Sequence, residues 1–272
     1  MFQVRTIDNL DRPELAPYRT LKRPTEHEAL GIFVAEGDKV VRRLLESHFE
    51  VLSVLLPAAR LAEFEFLLAA RPESEIPVYA VSKKSVLEEL IGFELFQGVL
   101  AVGRIPNPTT LGSILALPPP RLFVAVDGLT SAENMGVLTR NCAAFNVHAL
   151  IVGETCASPF LRRAVRNSMG TIFRLPVLQS RDLAKSIAEL RQRGVRCLAA
   201  HAHTQQRFLG QSNLTGDCCL VFGSEGHGIS PEVLAACDEA VAIPMSPGVD
   251  SLNVSAAAAV FLYEASRQRV RM

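Results

Sequence analysis

Gly223-Ser224-Glu225-Gly226-His227-Gly228 sets three glycines around a carboxylate and an imidazole, directly after the apolar run Leu220-Val221-Phe222. Such a loop leaves backbone amides and carbonyls free to meet a ligand. Its glycines fall at the first, fourth and sixth positions, which is not the GxGxxG spacing. No clear ribose-binding acid follows at the distance a dinucleotide site needs. Downstream, Ser251-Leu252-Asn253-Val254-Ser255 puts three polar side chains at the mouth of an alanine-rich helix. Helix capping explains one of these polar residues better than all three. A Gly-rich turn alone is an ordinary strand-to-helix connection; the second polar loop raises its weight as a ligand site.

These loops need a frame. Leu220–Phe222 and Ala240–Ile243 are brief apolar runs bounded by turn residues, the pattern of buried strands. Ser230-Pro231 between them opens a helix, with Ser as N-cap and Pro in the first turn. The block from Leu220 to Ala259 therefore predicts strand, Gly loop, helix, strand, loop, helix. Upstream, Leu122–Val126 starts a βαβ unit, with a loop from Asp127 to Glu133, a helix from about Asn134 to Phe145 and a strand at Ala149–Val152. Ser158-Pro159 opens a helix carrying Arg162, Arg163 and Arg166. Gly170 ends it, and Thr171–Leu175 returns as a strand. A helix over Ser180–Gln192 stops at Gly194, and Val195–Ala200 is the next strand, feeding His201. Alternating strands and helices predict an α/β domain over 121–272, with a parallel sheet covered on both faces.

Residues 1–105 read as a smaller α/β unit. Val51–Leu56, Val78–Val81 and Val99–Val102 are strands, and Lys39–Ser47 and Ala58–Ala70 have helical spacing. Ser85-Val86-Leu87-Glu88 is a capping-box pattern opening another helix. Pro106-Asn107-Pro108 and Pro118-Pro119-Pro120 flank a short helix at Leu111–Leu117, so 106–120 is a semi-rigid, Pro-rich linker.

The 272 residues are 49% hydrophobic and 21% charged, with a formal net charge of +0. This is ordinary globular composition. Neutrality counts mildly against a nucleic-acid binder, yet arginines clump at 162, 163 and 166 and at 267, 269 and 271, and a local basic patch can hold phosphates. The chain turns polar directly after Met1-Phe2, and nothing approaches a membrane span, so a cytoplasmic location is expected. Six cysteines without a CxxC spacing read as buried free thiols. His201-Ala202-His203 lacks an evident third ligand, and no metal is expected.

Asn134-Met135-Gly136-Val137-Leu138-Thr139-Arg140, then GSEGHG at 223–228, Ile243-Pro244-Met245 and SLNVS at 251–255 resemble, in order and spacing, the three motifs of the SpoU (TrmH-type) RNA methyltransferases of the SPOUT superfamily. Gly31–Gly37 and Phe96–Ala101 resemble segments of the L30e-like RNA substrate-binding domain that precedes many such catalytic domains. The resemblance implies methyl transfer from S-adenosylmethionine to a ribose 2′-hydroxyl of RNA. It implies ribosomal RNA rather than transfer RNA, a deep trefoil knot formed by the segments carrying the second and third motifs, and a homodimer through that knotted domain. It places the cofactor at Gly223, Ile243, Met245 and Leu252, largely through backbone groups. Arg140, Asn134, Glu225 and Asn253 take the catalytic positions, and Arg166 and Ser251 the RNA-binding ones.

Each residue also has a plain reading. Alone, Arg140 would be a solvent-facing helix residue. Asn134 orients the first motif's loop or caps its helix; Glu225 positions Arg140 or a ribose hydroxyl, or is a helix-entry acid. Asn253 bonds the ribose or Arg140, or caps a helix. Asn167, where the family usually has a small residue, and Pro247 after Ser246 depart from the family pattern. Other functions compatible with the sequence are transfer-RNA 2′-O-methylation and a non-catalytic RNA- or ribosome-binding homologue. A nucleotide-binding oxidoreductase is disfavoured by the glycine spacing.

Overall fold

The computed structural model describes residues 2–82, 98–202, 204 and 207–270. The capping-box pattern at Ser85–Glu88 lies outside them, as does His203 of the histidine pair. The chain divides into two compact units, one of Met1–Asn107 with Phe160–Phe173, the other of Pro108–Pro159 with Arg174–Met272.

The first unit is built on strands β1 (Phe2–Ile7), β2 (Ile32–Glu36), β3 (Val51–Pro57), β4 (Ile76–Val81) and β5 (Leu100–Arg104). They form a mixed sheet in the order β1-β4-β3-β5-β2, with β1, β4 and β3 parallel and β5 antiparallel to both neighbours. The Asp38–Leu45 helix buries Val40, Val41, Leu44 and Leu45, the face its spacing predicts. The helix expected over Ala58–Ala70 is instead a 3-10 turn, Ala58–Glu63, followed by the short helix Glu65–Ala69. The break falls at Phe64, which is fully buried beneath the Arg42 guanidinium, 4.4 Å from its ring centre.

Residues 160–173, read from sequence as part of the C-terminal domain, pack in this first unit. Phe160 and Phe173 stack on Phe33 at 5.9 and 5.5 Å. The helix there is Arg162–Asn167, and Thr171–Arg174 is a 3-10 turn, not the expected strand. Met169 and Gly170 both take left-handed backbone (φ 54 and 78), which turns Ile172 and Phe173 inward.

The second unit contains β6 (Leu122–Val126), β7 (Ala149–Val152), β8 (Val177–Gln179), β9 (Arg196–Ala200), β10 (Cys218–Phe222) and β11 (Glu239–Val241). All pair in parallel, in the order β11-β9-β10-β6-β7-β8. The expected parallel sheet is therefore present. β8 begins after Pro176, later than the strand predicted at 171–175. Leu183 and Ile187 of the Leu183–Gln192 helix and Val233 of the Pro231–Ala236 helix pack with Phe123, Ala125 and Val221 in one core. Phe261 of the Val254–Arg269 helix meets Phe222 edge-on at 5.5 Å, and that helix packs along the Ala132–Ala144 helix. Cys142, Cys197, Cys218, Cys219 and Cys237 are buried and unpaired, and Cys156 is half-buried. Among the described residues no helix is long and apolar enough to cross a membrane.

Chain order matters most at β6 and β10. β6 continues to β7 on one side, while β10 has β9 on the other, so strand order reverses between them. A crevice opens beyond the carboxyl ends of strands at such a reversal, and ligands bind there.

Candidate active site

The Gly loop leaves the carboxyl end of β10. A Cβ on Gly223 would lie 2.1 Å from the Gly228 carbonyl carbon and 2.3 Å from the Ile229 nitrogen, so the loop folds back directly onto Gly223. Ser224 and Gly228 exchange two backbone hydrogen bonds of 3.0 Å, and the His227 N–H donates to Ser224 Oγ at 3.1 Å. Gly228 closes the turn with φ 70. Ser230 occupies the N-cap position of the Pro231–Ala236 helix, as expected, but its side chain makes no capping bond. Its N–H donates instead to Asp127 Oδ2 at 2.7 Å.

The first motif's helix is Ala132–Ala144. It starts earlier than expected because Ser131 is the N-cap, accepting from the Asn134 N–H at 3.2 Å. Asn134 is therefore not the cap, and its side chain is free for other bonds. It donates through Nδ2 to Glu225 Oε1 and accepts at Oδ1 from Asn253 Nδ2 at 3.2 Å. Asn253 is the N-cap of the Val254–Arg269 helix, its Oδ1 accepting from the Ser255 N–H at 3.0 Å. That bond fixes which way the Asn253 amide points, and hence the direction of the whole chain of bonds toward Glu225. Ser255 Oγ donates to the Asn134 carbonyl at 3.0 Å, and Asn141 Nδ2 to the Ser255 carbonyl at 2.8 Å. The two helices and the Gly loop are thus joined by polar side chains from three separate stretches of sequence.

Beside this chain of bonds lies a cleft of about 250 Å³. Gly223, Ser224, Glu225 and Gly226 of the Gly loop line it together with Ile243, Met245, Ser251 and Leu252, and with Phe222, Val254 and Phe261. His201 and His227 also border it. The structure therefore gathers Gly223, Glu225, Ile243, Met245, Ser251 and Leu252 around one cavity, and bonds Glu225 to Asn134 and Asn134 to Asn253. It does not bring Arg140 into that group. Arg140 is exposed on the Ala132–Ala144 helix and has no side-chain partner among the described residues. Arg166 is in the other unit, where it and Arg162 share the buried carboxylate of Glu36, at 2.9 Å for Arg166.

Sequence reasoning missed Asp127, Ser131 and Asn141. Ser131 had a legible signal, a Ser just before a helical run. Asp127 and Asn141 had none, because their partners lie 103 and 114 residues away. Cys156 also serves the first motif's loop, accepting from the Leu129 N–H at 3.3 Å and donating to the Val126 carbonyl at 3.2 Å. Burial pushes its thiol pKa up.

A parallel α/β sheet with a cleft beyond the carboxyl ends of β9, β10 and β11 is a frequent setting for a bound nucleotide or cofactor. Comparison with known proteins makes this specific. Residues 121–263 match the SpoU rRNA Methylase family. An uncharacterized tRNA/rRNA methyltransferase of Mycobacterium tuberculosis is 35% identical, over 97% of this chain and 92% of that one. The SpoU methyltransferase AviRb from Streptomyces viridochromogenes, in complex with the cofactor AdoMet, superposes with a TM-score of 0.82 at 25% identity, covering 95% of this chain and 98% of AviRb. An RNA 2′-O ribose methyltransferase superposes with a TM-score of 0.78 at 26% identity, over 98% of this chain and all of that one. The chain belongs to the SpoU family of RNA methyltransferases.

Proposed function

We propose that this protein methylates a ribose 2′-hydroxyl of ribosomal RNA, using S-adenosylmethionine bound in the Gly223–Leu252 cleft. The observation that carries this is the bonded series Glu225–Asn134–Asn253 at the rim of a backbone-lined slot. The slot fits the cofactor by its chemistry. Ile243 and Leu252 offer apolar side chains for an adenine face, and their N–H groups donate to no acceptor among the described residues. Gly223, Met245 and the loop around Gly226 complete the walls that would hold it. When bound, S-adenosylmethionine supplies an activated methyl group on a sulfonium.

The chain's own residues then have to orient the hydroxyl and stabilise the oxyanion left as its proton departs. Glu225 has one oxygen occupied by Asn134, which holds the carboxylate in place as an acceptor for the ribose hydroxyl proton. Arg140 stabilises the developing alkoxide by charge; a guanidinium stays protonated at working pH, so it acts as an electrostatic group and not as a base. Asn253 and Ser251 line the approach of the RNA.

The remaining features follow the same family assignment. We assign a trefoil knot to the segments around 223–228 and 243–255, an L30e-like substrate-binding role to the first unit, and a phosphate contact to Arg166, whose side chain is 56% exposed despite its pairing with Glu36. A homodimer through the second unit is supported by apolar residues left exposed on its paired helices: Val137 at 38%, Val260 at 40% and Tyr263 at 60%. An L30e-like first unit added to the catalytic one favours ribosomal over transfer RNA.

The deciding experiment transfers radiolabelled methyl from S-adenosylmethionine to unmodified ribosomal and transfer RNA, with wild type and Arg140→Ala. Label in ribosomal RNA at one alkali-resistant linkage, lost by about 100-fold or more in the variant, is the expected result. Label in transfer RNA alone would overturn the substrate assignment. Cofactor binding without label in either RNA would move the substrate to assembled ribosomal particles. No label and no cofactor binding would leave a non-catalytic RNA-binding protein.

A further inference from the structure

The two loops that build the site are joined by a carboxylate that lines no part of the cleft. β6 and β10 are neighbours with Val126 opposite Phe222, so the loops leaving them start side by side. Asp127 is the first residue after β6 and is 9% exposed. Its N–H donates to the Phe222 carbonyl at 2.8 Å, and its Oδ2 accepts the Ser230 N–H at 2.7 Å. One residue therefore grips the Gly loop at both ends, its entry by backbone and its exit by side chain. Gly128, the next residue, lies against the first turn of the same loop: a Cβ there would be 3.6 Å from the Ser224 Cβ. The stretch then runs on to Ser131, the cap of the helix that carries Asn134. Ser230 gains no cap bond from its own hydroxyl, so the Asp127 carboxylate is what holds the loop's exit. A hydrogen bond to an ionised, largely buried acceptor is among the stronger kinds.

We propose that Asp127 is a positioning residue that sets the shape of the cofactor-binding wall and its alignment with Asn134, acting on S-adenosylmethionine only through the Gly223–Gly228 loop. This deepens the function proposed above and rests on it, so the test reads the loop both with and without the cofactor. Asp127→Asn keeps an acceptor oxygen for the Ser230 N–H, and Asp127→Ala removes it. Titration calorimetry with S-adenosylmethionine is expected to show Kd raised about tenfold or more in Asp127→Ala and within about threefold of wild type in Asp127→Asn. With cofactor saturating, kcat changes much less than the cofactor KM. Hydrogen exchange on the cofactor-free protein is expected to speed up at the Ser224, Gly228 and Ser230 amides in Asp127→Ala, while β6 and β10 keep their protection.

A folded Asp127→Ala protein that binds S-adenosylmethionine with the wild-type Kd, or whose loop amides exchange at wild-type rates, overturns the proposal. Should that variant not fold, Asp127→Glu, which keeps the charge but displaces the acceptor, takes its place: a raised Kd supports the proposal and an unchanged one overturns it. Wild-type protein that fails to bind S-adenosylmethionine sinks the methyltransferase function instead, and the exchange rates still decide whether Asp127 holds the loop.

Discussion

Gly223→Ala should damage the site more than any other single methyl group added to the Gly loop. Gly223 is not in the left-handed region, so its backbone suits alanine; the obstacle is space. The new Cβ would sit 2.1, 2.2 and 2.3 Å from Gly228 C, Gly228 O and Ile229 N, all backbone atoms, where ordinary contact begins at 3.4 Å. The two arms of the loop must part by roughly 1 Å, because the atoms in the way are backbone and not the end of a flexible side chain. The Ser224–Gly228 pair of 3.0 Å bonds lies in the path of that movement and cannot survive it. Losing two such bonds at about 0.5–1.5 kcal/mol each costs about 1–3 kcal/mol, which is also the usual range for overpacking. If that cost falls on the shape that receives the cofactor, affinity for S-adenosylmethionine drops about 5- to 150-fold. Titration calorimetry measures this directly, with a thermal melt alongside to show that the opening is local. Gly226→Ala is the control, because nothing lies within 4 Å of a Cβ there and its φ is ordinary; its stability should match wild type to within about 0.5 kcal/mol. Wild-type affinity and melting in Gly223→Ala would refute the close approach and the role given to the loop.

Two further outcomes follow from the same contacts. A double-mutant cycle with Asn134→Ala and Asn253→Ala, read as thermal or denaturant stability, should return a coupling of about 0.5–3 kcal/mol, since the two amides bond each other; strict additivity would refute the bond. Asp217 is partly desolvated, which raises its carboxyl pKa, but hydrogen bonds and charge from Arg121 outweigh this and hold the pKa below the usual carboxylate value. A depressed folded-state pKa gives stability present above the unfolded pKa and lost as pH falls through the folded one. The stability gap between wild type and Asp217→Asn should therefore be constant from neutral pH down to about pH 5 and shrink below about pH 4; a gap independent of pH would exclude the ion pair as its source.

The sheet of the second unit was legible because each strand announces itself locally. Leu122–Val126 and Ala149–Val152 appear at their predicted bounds, since a fully buried parallel strand is a short apolar run between turn residues. The same rule failed at Thr171–Leu175. Ile172 and Phe173 are as apolar as a strand demands and both are buried, but Phe173 packs against Phe33 and Phe49, distant in sequence, after a left-handed turn at Met169-Gly170. Periodicity reports that a residue is buried, not which partner buries it. The site divides along the same line. Asn253 was legible as a polar residue at the mouth of an apolar helix, Glu225 as the carboxylate of a Gly loop and Asn134 only through the resemblance of its motif to the family's, yet the bond joining Asn134 to Glu225 spans 91 residues and the one joining it to Asn253 spans 119. Asp127 escaped notice because a single acid after a strand looks like any loop residue, and its partner is a backbone amide, which no side-chain pattern records.

What remains is the place of Arg140. Asn134, Glu225 and Asn253 satisfy one another, whereas Arg140 stands on the same helix as Asn134, exposed, and borders no part of the cleft. A charge meant for an alkoxide has to reach the reacting oxygen. In the proposed homodimer that reach can come from the neighbouring subunit, because Arg140 shares its helix with the exposed Val137, close to the apolar surface assigned to the interface. Mixing subunits decides it. Arg140→Ala has an intact cofactor cleft and no arginine; Gly223→Ala has the arginine and a damaged cleft. If Arg140 serves its own subunit's cleft, every site in a mixed dimer carries one defect and the mixture is as inactive as its parts. If it serves the partner's, each mixed dimer holds one fully intact site. Equal mixing makes half the dimers mixed, so activity should recover to about a quarter of wild type after the subunits are unfolded and refolded together. That recovery is the expected result, read as methyl transferred to RNA at an S-adenosylmethionine concentration above the wild-type Kd and well below that of Gly223→Ala, where neither parent is active alone. No recovery, with mixed dimers confirmed by differently tagged subunits, would place Arg140 in its own site and require the Ala132–Ala144 helix to bring it toward the cleft when RNA binds.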